Sequence, residues 1–530
     1  MKFSKKPIKV TLLQLIYFCL FGIAFVFLLY SVFTHDSDTV SGICFWISIL
    51  LMLYLSRPGS DLHKAMQENA YEKILILLVA ALTIFYCVTP MGMLPLWNGE
   101  DPGHRNQYEL LAESFLEGKL YIEYGDEEDL LLLNNPYDPE ERRESGVRYH
   151  WDHAYFNGRY YVYFGAVPVL LTFLPYRILT GTALTTYHAT QIFTAGIIIA
   201  FFCLFYLLRR LFFPKLSFGI YLFSSVAFSM ISVWYASSSP ALYATAITAG
   251  ICLEMWSIFF FCKGVWDCQE ERSQLGYAFL GALLGALVFG CRPPIGLANL
   301  VVLPLLYAFL KQHRITPKLL GKLCLAALPY LIVALLLMGY NYARFCNPFE
   351  FGQSYQLTVA DQRELNRDLL LVDVINETIK NLFYYFPMKE EFPHAPHNGV
   401  FFNFPIFLWI FTVIIPEVRK QLRDKKLQGF ALELAAAILV ITVMDIIGSP
   451  HLMERYRMDI YFLASILCYL MIGAWHASLE EHRQKRSVIV MHMSVVMIVF
   501  VVFRYLYEVS INYPEFVQDL ESVVCFWRFL

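Results

Sequence analysis

The chain has 530 residues, of which 58% are hydrophobic, 17% aromatic and only 16% charged, and its mean hydropathy is +0.50. Soluble globular domains carry about 25% charged residues, so this composition excludes an ordinary soluble protein. The formal net charge of -3 does not by itself indicate a class of partner.

Apolar runs of bilayer-spanning length recur along the whole chain. Examples are Leu15 to Phe33, Ile74 to Pro90, Leu319 to Met338 and Val488 to Phe503. The first run follows a lysine-rich start, but its length and the lack of a small-residue cleavage site predict that it stays as a transmembrane helix. The pattern predicts an all-α polytopic membrane protein with about 13 transmembrane helices, centred near residues 21, 48, 82, 197, 226, 251, 283, 302, 329, 408, 438, 466 and 497.

The distribution of basic residues predicts the orientation of these helices. With a cytoplasmic N-terminus, the inner connections hold more than half of the 41 Lys and Arg residues, as the positive-inside rule requires. The apolar segment 160–181 is predicted to be a half-embedded or juxtamembrane helix, because counting it as a span would place the later basic clusters outside. The predicted divisions are 1–93, an outer loop 94–186, 187–339, a second outer loop 340–399, and 400–530.

The first outer loop opens with two carboxylates and an amphipathic helix. Apolar residues at helical spacing in the stretch NQYELLAESFLEG predict a helix that ends at Gly118 on the outer surface. Glu100 and Asp101 lie before it, near the end of the third span. They are either hydrated interface carboxylates or a general base that accepts a proton from an attacking hydroxyl. His104 and Arg105 follow them as candidate substrate-binding residues.

Later in that loop, the stretch VRYHWDHAYFNGRYYVYFG interleaves aromatic and polar residues. Aromatic residues are commonly interface anchors, which is the simpler interpretation. The alternative is a sugar-binding platform in which Trp151 stacks on a ring and Asp152 binds a hydroxyl.

Several arginines are predicted on the outer side, where basic residues are disfavoured. Arg455 and Arg457 flank Tyr456 at the N-terminal end of the twelfth helix, where the helix dipole also opposes a cation. Arg292 and Arg344 lie at two other outer corners. Internal ion pairs, for example with Glu454 or Asp459, would compensate these charges. The alternative is a bound lipid phosphate or pyrophosphate, which suits the arginine fork.

Cofactor signals are weak. Most of the 12 cysteines lie in apolar runs without a C-x-x-C pair, which is typical of core residues. His394 and His397 leave a divalent metal ion open, but the residues identify no cofactor and no nucleic-acid partner. Because there is no P-loop, an energy source would have to arrive with the substrate.

Together, the acidic pair, the NPYDP and WDHAYFNGRYYVYFG stretches, RPP, NYARFCNPFEFGQSYQL and ERYRMDIYF resemble the GT-C superfamily of polytopic glycosyltransferases. The resemblance covers about residues 90–475 and is nearest to bacterial members related to the protein mannosyltransferase and aminoarabinose transferase group. It implies a multi-pass protein of a bacterial inner membrane, a polyprenyl-phosphate or polyprenyl-pyrophosphate sugar donor, and inverting transfer of a hexosyl or pentosyl unit. Asp101 or Glu100 would be the base, and Arg455 or Arg457 would hold the phosphate.

The chain departs from this family in two respects. Its acidic loop follows the third predicted helix instead of the first, and no C-terminal soluble domain is predicted. The glycan, lipid or protein acceptor is therefore not identified. The competing hypotheses are a transporter or flippase of lipid-linked saccharides, which would need the arginines but no base, and a non-catalytic envelope scaffold.

Overall fold

A computed structural model describes residues 70–93, 107–163, 165–364, 370–383, 399–448, 454–482 and 484–512, together with scattered positions between 13 and 60. Helices and strands are numbered here from the first helix described along its whole length. Every predicted helix centre from residue 82 onward lies within a helix of the structure. The centres near residues 21 and 48 lie where only isolated positions are described.

The membrane part of the described chain is built from long apolar helices. Seven are long and apolar enough to cross a bilayer, which confirms the all-α polytopic fold class. The helices are α1 (Ala70–Val88), α5 (Thr186–Phe212), α6 (Phe218–Ser232), α7 (Trp234–Ser238), α8 (Tyr243–Asp267), α9 (Glu271–Val288), α10 (Pro293–Gly296), α11 (Val302–Gln312), α12 (Pro317–Phe345), α14 (Val400–Asn403), α15 (Pro416–Asp424), α16 (Gln428–Gly448), α17 (Glu454–His482) and α18 (Gln484–Asn512), with 3-10 turns at Pro90–Met93, Leu297–Val301 and Pro405–Ile414.

The centre of the bundle is formed by α5, α6, α8 and α17, whose side chains are buried on nearly all sides. Phe205 of α5 stacks on Tyr469 of α17 with ring centroids 3.9 Å apart. One turn further along α5, Arg209 donates to Glu72 of α1 at 2.7 Å, and both side chains are buried. By contrast, α12 exposes most of its leucines, as expected of a helix that faces lipid.

The predicted half-embedded segment contains a short interrupted helix. A π-helical turn at Val169–Phe173 leads directly into α4 (Leu174–Thr180), and Pro168 and Pro175 lie at the starts of these two pieces. Twelve residues at 1.5 Å each reach about 18 Å, well short of a hydrocarbon core of about 30 Å. The segment is therefore too short to cross the membrane as a straight helix.

The first outer loop folds into a compact module of small elements. It contains α2 (Gln107–Leu116), a 3-10 turn at Asp129–Leu132, α3 (Pro139–Ser145) and the antiparallel hairpin of β1 (Ala154–Phe156) and β2 (Arg159–Tyr161). As predicted, α2 ends just before Gly118, which has a φ of +74°. Its apolar face packs on the protein, where the Tyr108 ring lies 5.6 Å from Phe173.

The second outer loop is fastened to this module by main-chain hydrogen bonds. The Leu357 N–H donates to the His153 carbonyl at 2.9 Å, and the Asp152 N–H donates to the Leu357 carbonyl at 3.0 Å. Arg142 is almost fully buried and donates to the carbonyls of Pro136 and Thr358 at 2.7 and 2.6 Å. Residues from both loops therefore form one module, named the outer module after the side of the membrane on which the sequence predicts it.

We expect Arg142→Ala to release the second loop from this module. The substitution leaves two partly buried carbonyls without the charged donor, and each such hydrogen bond contributes about 1.5–3 kcal/mol. Limited proteolysis should then cleave within 346–364 faster than in the wild type. Arg143→Ala is the matched control, because Arg143 is exposed and pairs only with the exposed Glu140. Equal cleavage rates in the two variants would contradict this role of Arg142.

Candidate functional site

Asp152 is held in place by two parts of the outer module, α2 and the second loop. Its backbone has a φ of +58°, a left-handed conformation that is unusual for a residue other than glycine. Gln107 of α2 donates to its carbonyl at 2.9 Å, and Gln356 of the second loop donates to its carboxylate at 2.6 Å. The constrained backbone and the two amide donors fix the direction of the carboxylate.

The carboxyl of Asp152 lies in a partly desolvated position. Burial raises its pKa above the ordinary value, and hydrogen bonds from Gln356 and Trp151 and the positive charge of Arg455 lower it in part. Tyr163 is influenced by the charges of both Asp152 and Arg455, and burial raises its own pKa far above the usual range. The outer module therefore brings a carboxyl group close to the predicted arginine turn.

That turn is the N-terminal end of α17. The Arg455 guanidinium stacks over the Tyr243 ring of α8 at 4.0 Å. The Tyr456 ring lies between two cations, with the guanidinium carbons of Arg455 and Arg292 at 5.4 and 5.2 Å from its centroid. Residues far apart in sequence, on α8, α17 and the end of α9, thus form a single cationic surface.

Arg292 is compensated within the protein. Its Nε donates to both oxygens of Asp459 at 2.8 and 2.7 Å, and Asp459 is completely buried. Asp445 also interacts electrostatically with Arg292. From the sequence, Asp459 was a possible partner for Arg455 or Arg457, but in the structure this carboxylate bonds Arg292.

Arg455 remains without such compensation in the part of the chain that the structure describes. Its described neighbours are the aromatic rings and hydroxyls of Tyr235, Tyr243 and Tyr456, and no described carboxylate lies within ion-pair distance. The helix dipole adds further positive potential at this position. An anion with oxygen acceptors would satisfy both the guanidinium and the helix end.

The other predicted binding residues have different surroundings. Arg344 is 3% exposed and donates to the Val162 carbonyl at 2.6 Å and to Asn341 at 2.8 Å. Arg457 is also buried and donates to Asn381 at 3.0 Å. Both interactions favour a bracing role over direct ligand binding.

Trp151 is 48% exposed beside Asp152, which leaves its ring accessible. The predicted base candidates Glu100 and Asp101 lie outside the described residues, as do His104, Arg105, His394 and His397. Among described residues, no group of three or more His, Cys, Asp or Glu side chains could hold a metal ion.

Four side chains of the site were not among the residues predicted from the sequence: Gln356, Tyr163, Tyr235 and Tyr243. The tyrosines lie in apolar stretches where aromatic residues are common, and Gln356 is a polar residue in a loop. No sequence spacing links them, because the contacts join the second loop, α7 and α8 to α17.

An apolar groove of about 380 Å³ opens beside the site. It lies between α2, the π-helical segment, α9 and α12, and its lining includes Phe115, Leu120, Leu170, Leu174, Leu336 and Tyr340. Val167, another lining residue, donates its N–H to the Gly290 carbonyl at 3.0 Å. Since Arg292 follows Gly290 by only two residues, the groove and the cationic surface are neighbours.

No protein-family model and no curated protein sequence matches the chain. Two solved structures are similar to it. One is ArnT from Cupriavidus metallidurans bound to undecaprenyl phosphate, with 13% identity and a TM-score of 0.39 over 86% of this chain and 76% of that one. The other is the apo oligosaccharyltransferase of Archaeoglobus fulgidus, with 12% identity and a TM-score of 0.45 over 85% of this chain.

The chain spans 57% of the length of the oligosaccharyltransferase. Both structures belong to the GT-C superfamily, the group that the sequence motifs resemble. At this level of similarity, neither structure assigns a role to an individual residue of this chain.

The buried ion pair generates a prediction about stability. Asp459→Asn leaves the Arg292 guanidinium buried without its bonded carboxylate, and breaking a buried pair in this way costs about 3–5 kcal/mol. We expect a much lower unfolding temperature in detergent. Asp445→Asn should cost less, because the carboxylate bonded to Arg292 is that of Asp459, and the exposed Asp424→Asn should have little effect. A similar unfolding temperature for all three variants would contradict the role of this pair.

His153 should make the stability of the outer module depend on pH. Its Nδ1 donates to the Trp151 carbonyl at 2.9 Å, so its Nε2 accepts from the Tyr124 hydroxyl at 2.7 Å. Burial lowers the pKa of His153 from 6.5 to about 4. Between these values the unfolded chain binds more protons, so this contribution to stability falls as the pH is lowered from 6.5 towards 4.

We therefore expect acidification across this range to destabilise the wild type relative to His153→Gln by up to about 3 kcal/mol. Thermal unfolding of the two proteins, followed from neutral pH down to the lower pKa, measures the difference and cancels contributions from other groups. His153→Gln should lose stability less steeply than the wild type as the pH falls through this range. The same slope in His153→Gln would show that another group causes the pH dependence.

Proposed function

We propose that this protein is an integral membrane glycosyltransferase that transfers a sugar from a polyprenyl-phosphate-type lipid donor to an acceptor on the extracytoplasmic face. The observation that carries the proposal is the Arg455 guanidinium at the start of α17, which lies against tyrosine rings and has no ion-pair partner among the described residues. A donor of this type would supply the missing anion.

The donor phosphate would bind at the cationic surface formed by Arg455 and Arg292. Because only the Nε of Arg292 is used by Asp459, its two terminal nitrogens have no hydrogen-bond partner among the described residues. Two guanidinium groups on either side of Tyr456 suit a ligand with several phosphate oxygens. Asp459 would hold Arg292 in the correct direction.

The lipid part of the donor would occupy the apolar groove. A polyprenyl chain needs an apolar surface continuous with the membrane, and the groove is lined by aliphatic and aromatic side chains. Its lining is connected to the cationic surface through the bond from Val167 to Gly290. This arrangement supports a ligand with a charged head and an apolar tail.

Transfer would proceed as a single displacement at the anomeric carbon. The acceptor hydroxyl forms the new C–O bond, its proton passes to Asp101 or Glu100, and the bond from the anomeric carbon to the phosphate oxygen breaks. The leaving phosphate keeps the electron pair, and its developing charge is stabilised by Arg455 and Arg292. Attack from the face opposite the phosphate inverts the anomeric configuration.

Asp152 would orient the sugar. Its fixed carboxylate can accept a hydrogen bond from a sugar hydroxyl, and the half-exposed Trp151 beside it offers a ring face for stacking. This role needs no proton transfer, so loss of Asp152 should raise KM more than it lowers kcat.

The test uses the full chain in lipid nanodiscs with a panel of radiolabelled polyprenyl-phosphate sugars and a crude envelope fraction as acceptor. Arg455→Ala should weaken donor binding about ten- to hundredfold, because one charge-assisted interaction contributes about 1.5–3 kcal/mol. Asp101→Asn or Glu100→Gln should keep donor binding but lower transfer by about 10² to 10⁴. Arg272→Ala, an exposed arginine at the start of α9, is the control.

Each outcome bears on the proposal. Transfer that is lost in one carboxylate variant with intact donor binding supports a glycosyltransferase and identifies its base. Donor binding by the wild type without transfer to any acceptor would favour a flippase of lipid-linked saccharides. Donor affinity that Arg455→Ala leaves unchanged would overturn the assignment of the phosphate site.

A further inference from the structure

The helix α13 (Leu371–Phe383) in the second outer loop has three chemically different faces. Val374, Thr378 and Asn381 form the face that lies against the bundle, and the latter two are buried. A second face carries Asp373, Glu377 and Lys380, of which Lys380 donates to Glu377 at 2.6 Å. The third face carries Leu371, Val372, Ile375, Ile379 and Phe383, which are all exposed.

The orientation of α13 is fixed by contacts at its C-terminal end. Asn381 accepts the hydrogen bond from the Arg457 Nε at 3.0 Å, inside the protein. The Phe383 ring stacks on Phe401 at 4.8 Å and lies 6.2 Å from Phe411. These contacts hold Thr378 and Asn381 inward. Phe383, at the end of the apolar face, touches the bundle, and the rest of that face points away from it.

The exposed apolar face continues a surface that already faces lipid. The helix α13 contacts α16, one of the membrane-spanning helices, whose Met444 and Ile447 are exposed near its outer end. Phe411, the neighbour of Phe383, is also exposed on the apolar segment Pro405–Ile414. Leu371 is 75% exposed and Ile379 is 53% exposed. Contact of such large apolar side chains with water would be unfavourable.

We propose that α13 lies in the outer boundary of the membrane, with its apolar face among the acyl chains and its charged face towards the headgroups. The division into apolar, charged and protein-facing strips matches an interfacial helix, which buries one face a few ångströms below the headgroups. The partner of this surface is the lipid bilayer itself. This placement is independent of whether the protein transfers a sugar.

The placement also has a consequence for the site. Because Asn381 bonds Arg457, and Arg457 follows Arg455 by two residues, α13 connects the membrane boundary to the first turn of α17. Arg457 is thus a candidate positioning residue that ties this turn to the depth of the outer leaflet.

The test places one genetically encoded fluorescent amino acid in the full chain in nanodiscs of phosphatidylcholine with brominated or unbrominated acyl chains. The probe is placed at Ile375 on the apolar face, at Lys380 on the charged face, or at Leu439, an exposed position within α16 that serves as the lipid-facing reference. We expect brominated lipid to quench the probe at Ile375 and Leu439 several-fold more than at Lys380, with blue-shifted emission at the first two positions.

Three results would overturn the placement. Quenching at Leu439 but not at Ile375, with blue-shifted emission at Ile375, would mean that another segment of the chain covers this face. The same pattern with red-shifted emission would mean that the face lies in water. Equal quenching at Ile375 and Lys380 would mean that the helix does not present one face to lipid.

Discussion

The interaction on which the candidate site depends is the buried pair of Arg292 and Asp459. It joins the loop after α9 to the first turns of α17, in a position where an unpaired charge of either sign would be strongly unfavourable. By occupying Asp459, Arg292 leaves Arg455 without a carboxylate partner among the described residues. The positive charge of Arg455 is thus left without an ion pair among the described residues because Asp459 bonds Arg292.

The outer module completes the site from the opposite side. The helix α2 and the second outer loop both bond Asp152, and these contacts hold its left-handed backbone in place. A carboxyl group held in a fixed direction is suited to orienting a ligand, because little reorganisation is needed on binding. The helix α13 fixes the same turn of α17 from the membrane side through Asn381 and Arg457.

Much of this could be predicted from the sequence. Apolar runs of spanning length are decided by the thickness of the bilayer, so the helix positions from residue 82 onward were predicted correctly. The helix α2 and its end before Gly118 followed from residue spacing and from the need for a positive φ. The composition predicted a membrane protein, and the position of Arg455 and Arg457 at a predicted helix end indicated a cationic turn there.

The pairing of the charges could not be predicted, because it depends on which helices meet. The sequence allowed Asp459 to neutralise a neighbouring arginine on its own helix, whereas the fold brings Arg292 from the loop after α9 to this carboxylate. It also treated Arg344 and Arg455 alike, although one is bonded within the protein and the other is surrounded by tyrosines. The sequence by itself determined the membrane fold class and the positions of the arginines predicted on the outer side, since both depend on local composition. Only the tertiary structure decided which of these arginines is bonded to a carboxylate among the described residues, because that depends on contacts between residues more than 150 positions apart.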